Sequence, residues 1–178
     1  SSDRVPVLGI EELAAGKFTA LLTRTAPRDA FDAWQLLEEV PDLSQRPRLR
    51  TAFVVQAASV RQDLRAKDPG TVRVTAKAVR EELLPLLRVE ARPFDGDPNE
   101  MSEHLNVVCT NLAKRLLRWR RGERAFLDRI LEMGEIVPGL LTDDPDLQGR
   151  IAAQPMLHWK TMHVRQYRRL PAREPEEA

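Results

Sequence analysis

The chain has 178 residues, of which 42% are hydrophobic, 31% charged and 5% aromatic, and its 28 basic and 27 acidic residues leave a formal charge of +1. This composition excludes a disordered chain and describes a helix-rich protein with a core; no stretch approaches the ~20 apolar residues of a membrane span, so no membrane contact is expected. The single cysteine, Cys109, excludes an internal disulfide and fits a reducing compartment, and with no signal peptide in view the expected location is cytoplasmic.

The first ten residues, SSDRVPVLGI, read as the end of something: Val5, Val7 and Leu8 suggest the last residues of a strand whose partners do not follow. A lone strand leaves its backbone groups unsatisfied. The expectation is that a sheet lies upstream in a longer protein, or that the segment runs as a surface arm.

Ile10 to Leu37 is the stretch around which the rest is organised. Ile10, Leu13, Ala14, Phe18, Leu21 and Leu22 recur at helical spacing, as do Ala30, Phe31, Trp34 and Leu37, predicting a helix from about Ile10 to Arg24 and a second to about Val40, before Pro41. Thr25 offers an N-cap to the second helix, with Pro27 in its first turn. Lys17 lies in line with Leu13 and Leu21, and Asp32 with Asp29 and Leu36. A lysine and an aspartate set into apolar faces need partners, either each other or a ligand. Gly16, after Ala14 and Ala15, costs a helix about 1 kcal/mol relative to alanine. Such a patch permits close approach of a ligand or of another helix.

A third helix is expected from about Arg48 to Arg65 on the stripe Leu49, Phe53, Val54, Ala57 and Val60, then a loop at Lys67-Asp68-Pro69-Gly70, then a helix from Thr75 to Arg88 kinked near Pro85. Arg92 to Asn99, with Pro93, Gly96 and Pro98, reads as a linker. Beyond it the pattern predicts helices over about Glu100 to Arg120, Glu123 to Met133, a short one through Ile151 and a last one from Pro155 to Leu170 with Met156, Trp159, Met162 and Val164; the tail PAREPEEA is too polar and proline-rich to fold. The expected fold is therefore an all-α irregular multi-helix bundle. Its parts are residues 1–91, carrying Lys17 and Asp32, a linker at 92–99, residues 100–170, carrying a basic helix, and the tail 171–178.

Several chemistries are excluded by motif. There is no P-loop, paired CxxC or HExxH, and His104, His158 and His163 are not at metal-ligand spacing. Asp143, Asp144 and Asp146 resemble half of a calcium loop, without its glycine or its closing glutamate, and an acidic helix N-terminus accounts for them better. Cys109 lies in the apolar run Leu105 to Leu112 and is expected to be buried and inert.

Two constellations stay open. Lys114, Arg118, Arg121 and Arg124 fall on or beside one stripe with Trp119 close by, which suits a phosphate backbone and an unstacked base, or is a solvated face. Lys17 and Asp32 form either a salt bridge, with Arg28 and Asp29 closing the network, or half of a nucleotidyl-transfer site, in which a cation neutralises triphosphate and a carboxylate orients the reacting group.

Glu12-Leu13-Ala14-Ala15-Gly16-Lys17, followed by Ala20-Leu21-Leu22, Arg24, Pro27-Arg28-Asp29 and Phe31-Asp32, resembles the second conserved block of the AbiEii/AbiGii family of nucleotidyltransferase toxins. Pro155-Met156-Leu157-His158-Trp159-Lys160 is similar to that family's C-terminal helix, with His163 where an asparagine is expected; the likeness runs from about Val7 to Arg168. The resemblance implies the toxin half of a bacterial toxin–antitoxin pair, with an AbiEi-type antitoxin as partner, an α/β N-terminal domain bearing a glycine-serine turn and Mg²⁺-binding aspartates, and a helical C-terminal part. It further implies nucleotide transfer from an NTP to the 3′ end of tRNA, blocking translation. Lys17 would meet the triphosphate and Asp32 would belong to the catalytic centre, supported by Arg24, Arg28 and Asp29. On this reading the chain is the helical part, lacks the metal-binding aspartates and is inactive alone. The alternative is a non-catalytic helical module that binds nucleic acid or an antitoxin.

Overall fold

In the computed structural model, which describes residues 9–169, the first apolar stripe forms helix α1 (Ile10–Arg24), burying Ala14, Ala15, Phe18, Leu21 and Leu22. Leu13, expected on that stripe, instead stays 46% exposed. Thr25 does not cap the next helix. It ends α1 in the left-handed conformation (φ 53°), its hydroxyl and its N–H both donating to the Leu21 carbonyl, and Ala26 takes the N-cap position of α2 (Pro27–Glu39). A residue that closes one helix this way has no dihedral freedom left to open the other.

α3 (Pro47–Ser59) stops six residues before the expected Arg65. Its continuation is replaced by a bend in which the Asp63 carboxylate accepts the Arg65 N–H at 2.9 Å. α4 starts as expected after Thr75, whose hydroxyl accepts from the Ala78 N–H, but only Ala76–Ala78 is α-helical. A π-helical turn at Val79–Leu83 and a 3₁₀ turn at Leu84–Leu86 follow, the latter holding Pro85, which has no N–H to continue a ladder.

α5 (Pro98–Leu116) is capped by Asp97, which accepts from the Asn99 and Glu100 N–H groups. The expected continuation to Arg120 is missing. The Arg50 guanidinium donates to the carbonyls of Leu116 (2.7 Å) and Arg118 (3.0 Å), satisfying helix-end acceptors and fixing the stop. α6 (Arg121–Asp128) starts afresh, with Glu123 reaching back to the Arg120 N–H, and passes into a π-helical turn at Arg129–Met133. α7 (Pro145–Ala152) is capped by Asp144, as the acidic cluster suggested, and α8 runs over Pro155–Arg168.

Among the described residues there is no strand, so the described part of the chain is all-α. No helix among them is long and apolar enough to cross a membrane. The suggested strand at Val5–Leu8 and the tail lie outside the described residues.

Of the described residues, those up to Gln56 with Ala66–Arg118 form one unit, and Ala57–Arg65 with those from Trp119 onward form a second. The segment 92–99, read as a linker, lies within the first unit. There Pro93–Gly96 makes a tight turn with Phe94 and Asp95 at positive φ, leading into the Asp97 cap. The first unit packs α2 between α1 and α5 around Phe18, Leu21, Leu22, Phe53, Met101 and Leu105. In it the Asn106 amide both donates to and accepts from the Val74 backbone, standing in for a strand partner. Cys109 is buried, as expected. The second unit centres on Phe126, Leu127, Ile130, Ile151 and Leu157.

Candidate active site

α1 and α2 are joined by the turn at Thr25–Ala26 and pack on each other, and two pairs of polar side chains bridge them like rungs. Nearest the turn, Arg24 in the last turn of α1 grips Asp29 in the first turn of α2 through two hydrogen bonds, Nε to Oδ2 at 3.2 Å and NH2 to Oδ1 at 2.7 Å. Both charges also suit the helix ends they occupy, a cation at a C-terminus and a carboxylate at an N-terminus. About two turns back along α1 stands Lys17, and about one turn on along α2 stands Asp32. They meet with Lys17 Nζ donating to Asp32 Oδ2 at 2.6 Å.

The rungs differ in environment. The Asp29 side chain is 8% exposed and belongs to the wall between the helices. Lys17 and Asp32 are 40% and 23% exposed, so neither is the buried charge that the apolar pattern implied. A salt bridge this open is worth ~0–1 kcal/mol, too little to explain why a lysine and an aspartate stand here.

What they face is a cavity of about 630 Å³ within the first unit, within the size range of small-molecule sites. Lys17, Arg24, Arg28, Asp29 and Asp32, all proposed as site residues from the sequence, line it together. Arg28 is exposed there and its side chain has no hydrogen bond or ion pair among the described residues. Gly16 also lines it, and a Cβ built on Gly16 meets nothing within 4 Å. That removes tight helix packing as the reason for the glycine and leaves room beside Lys17.

Glu12, Leu13, Ala20, Ala26 and Gln56 complete the lining. Glu12 Oε2 is buried without a hydrogen-bond partner, while Oε1 lies 3.6 Å from Arg48. Sequence reasoning missed Glu12 and Gln56. Glu12 lies within the block that singled out Lys17 and could have been found from it; Gln56 arrives from α3, with no local signal.

The residues present do not fit a resident divalent ion. Among the described residues no three His, Cys, Asp or Glu side chains form a metal-holding group, and both cavity aspartates are already engaged by a cation.

The expected basic helix is not one element. Lys114 lies on α5 and Arg118 after its end, in the first unit, whereas Arg121 and Arg124 belong to α6 in the second. The interruption at residues 117–120 breaks the stripe that continuous helical spacing implied. Arg124 is also partly engaged, its Nε 3.2 Å from Asp128 Oδ1. His158 and His163 both turn to backbone carbonyls on their own side of the chain, those of Ala152 and Trp159.

Comparison with known proteins gives one family. The model described as "Nucleotidyl transferase AbiEii toxin, Type IV TA system" matches residues 2–172. No curated protein and no solved structure matches the chain.

Proposed function

Since the chain belongs to the AbiEii family of nucleotidyltransferase toxins of Type IV toxin–antitoxin systems, we propose that the cavity between α1 and α2 receives the triphosphate of an NTP. The observation that carries this reading is the convergence of Lys17, Arg24 and Arg28 on one open cavity beside a glycine that leaves space. The N-terminus of α2 adds its dipole, favourable to an anion, at Ala26 and Arg28.

In nucleotidyl transfer the acceptor hydroxyl oxygen attacks the α-phosphorus, the bond to the bridging oxygen breaks, and pyrophosphate leaves. Lys17 neutralises the charge that grows on that leaving group, and Arg28 holds the triphosphate's outer oxygens. Asp32 keeps the Lys17 ammonium aimed into the cavity. The Arg24–Asp29 pair holds the two helices at the separation this needs, so Arg24 and Asp29 support and Lys17 and Asp32 act. Mg²⁺ would accompany the nucleotide, held by carboxylates other than these two.

The acceptor in this reading is RNA, with the 3′ end of tRNA as the proposed target and a block on translation as the consequence. Lys114 and Arg118, and separately Arg121 and Arg124, are proposed phosphate contacts. The antitoxin partner is of the AbiEi type. The competing reading, a helical binding module, rests on one observation: Lys17 and Asp32 already satisfy each other.

Equilibrium binding of a fluorescent NTP analogue separates the two. Triphosphates should displace the probe and unphosphorylated nucleosides should not, and Arg28→Ala should weaken binding about tenfold. Equal displacement by nucleoside and triphosphate would sink the triphosphate assignment. Absence of labelled NTP incorporation into tRNA, with another RNA labelled instead, would correct the acceptor alone.

A further inference from the structure

Between Asp146 and Glu174 the sequence contains no acidic residue, while Arg150, Lys160, Arg165, Arg168 and Arg169 all fall in that interval. No other stretch of this length is so one-sided. Most of it is α8, and α8 is held against the second unit by one face only.

That face is well anchored. Leu157 and Thr161 are buried, and Arg165 Nε donates to the Gly134 carbonyl at 3.0 Å. Gly134 stands at positive φ so close beneath that a Cβ there would come within 2.8 Å of the Thr161 carbonyl oxygen. Lys160 also turns inward, its Nζ donating to the Val60 carbonyl at 2.8 Å, and burial lowers its pKa. The helix cannot roll without breaking these contacts.

The opposite face carries Met156, Trp159, Met162, His163 and Tyr167, all exposed, Tyr167 at 90%. At 100° per residue these five occupy one contiguous sector of about 140° running the length of the helix. The His163 ring lies on Trp159, centroids 3.9 Å apart, and its Nδ1 is 2.8 Å from the Trp159 carbonyl oxygen, which can only accept; Nδ1 therefore carries the proton. The indole is thus fixed in place by its own helix. Past the sector's edge stands Arg169, exposed and without a partner among the described residues; Arg168, also exposed, is placed by the same spacing on the anchored side of the helix.

Flat π-faces on a rigid helix, with a cation at their edge and no carboxylate among them, match an unpaired polynucleotide, whose bases stack and whose phosphates need neutralising. Duplex RNA hides the faces that Trp159 and Tyr167 would meet. A membrane surface suits the sector less well, because His163 and Gln166 lie within it. We propose that the outer face of α8 binds single-stranded RNA, stacking bases on Trp159 and Tyr167 with Arg169 on the phosphates. The proposal rests on the reading of RNA as the acceptor and adds the surface that holds its unpaired end.

The test is anisotropy of a fluorescent single-stranded oligoadenylate titrated with the full chain. Trp159→Ala and Tyr167→Ala should each weaken binding about tenfold, given the usual strength of base–aromatic stacking, and Trp159→Phe should restore most of it. Arg169→Glu should weaken it further and flatten its salt dependence. Circular dichroism should be unchanged, since all these side chains are on the surface. Unaltered affinity in the alanine variants, preference for duplex, or binding to anionic phospholipid vesicles in place of RNA would each overturn the proposal while leaving an RNA acceptor possible. Failure of the unmodified chain to bind any RNA, with NTP still bound, would overturn both.

Discussion

Arg24 and Asp29 clasp each other across the turn between α1 and α2, and this clasp sets the geometry in which Lys17 meets Asp32. The clasp is a structural device with a functional consequence. Its carboxylate is almost wholly withdrawn from water and its two hydrogen bonds are charge-assisted. Arg24→Ala would leave that carboxylate short of partners at a cost of about 1–2 kcal/mol. For a chain of this size that lowers the melting temperature by roughly 2–8 °C, read by calorimetry. Nucleotide affinity should fall with it, since the rung above loses its fixed spacing, and Arg24→Lys should recover stability only in part because a lysine cannot make the bidentate contact.

Lys17 and Asp32 should behave in the opposite way. Their exposure makes the bond between them worth ~0–1 kcal/mol, so Lys17→Ala and Asp32→Ala are expected to melt within a few degrees of the unmodified chain. Nucleotide binding should be lost in Lys17→Ala, and toxicity in both. The exchange Lys17→Asp with Asp32→Lys is the sharper measurement. It rebuilds the salt bridge with its ends reversed; recovery of function would show that pairing alone matters and would reduce the residues to a register device.

Gly16 offers a prediction in which stability and function part company. Open space at its Cβ position means that Gly16→Ala removes the helix penalty of glycine with no clash, stabilising the chain by about 0.5–1 kcal/mol. Gly16→Leu should also fold, yet extend into the cavity beside Lys17 and weaken triphosphate binding at least tenfold. A destabilised Gly16→Ala variant would mean that the site is closed in solution by something packed against it.

How much of this was legible in the sequence follows from how local each determinant is. Lys17, Arg28, Asp29 and Asp32 were readable as a group because they belong to adjacent helices joined by a tight turn, so spacing along the chain converts into facing positions; Arg24 joined them only through the family resemblance. The limits of α1 and the start of α2 were readable for the same reason. Thr25 was not, because a threonine between two helices can serve either, and the backbone conformation decides. The ends of α3 and α5 are set from far away. Arg65 bends out of helical continuation to meet Asp128 and Glu132, and Arg50 caps α5 from a different helix. Neither residue differs locally from a helix interior, so periodicity ran on through both stops. The basic stripe was lost with the second of them.

Cys109 carries a pH signature that tests the core of the first unit. Burial pushes its thiol up to about 12, its Sγ lying against the Ala30 carbonyl oxygen at 3.8 Å. In the unfolded chain a thiol titrates near about 8.5. Above that pH the unfolded state sheds a proton that the folded state keeps, so the contribution is whole below about 8.5 and is lost progressively as pH rises towards the folded value. Unfolding free energy measured from neutral to strongly alkaline pH should therefore fall more steeply for the unmodified chain than for Cys109→Ala, the difference isolating the thiol from the titrating lysines. Alkylation by iodoacetamide gives the kinetic counterpart: at mildly alkaline pH the folded chain should label only as fast as it opens, and denaturant should accelerate labelling by orders of magnitude. Prompt labelling of the folded protein would place Cys109 at the surface and undo the packing of α5 against α2.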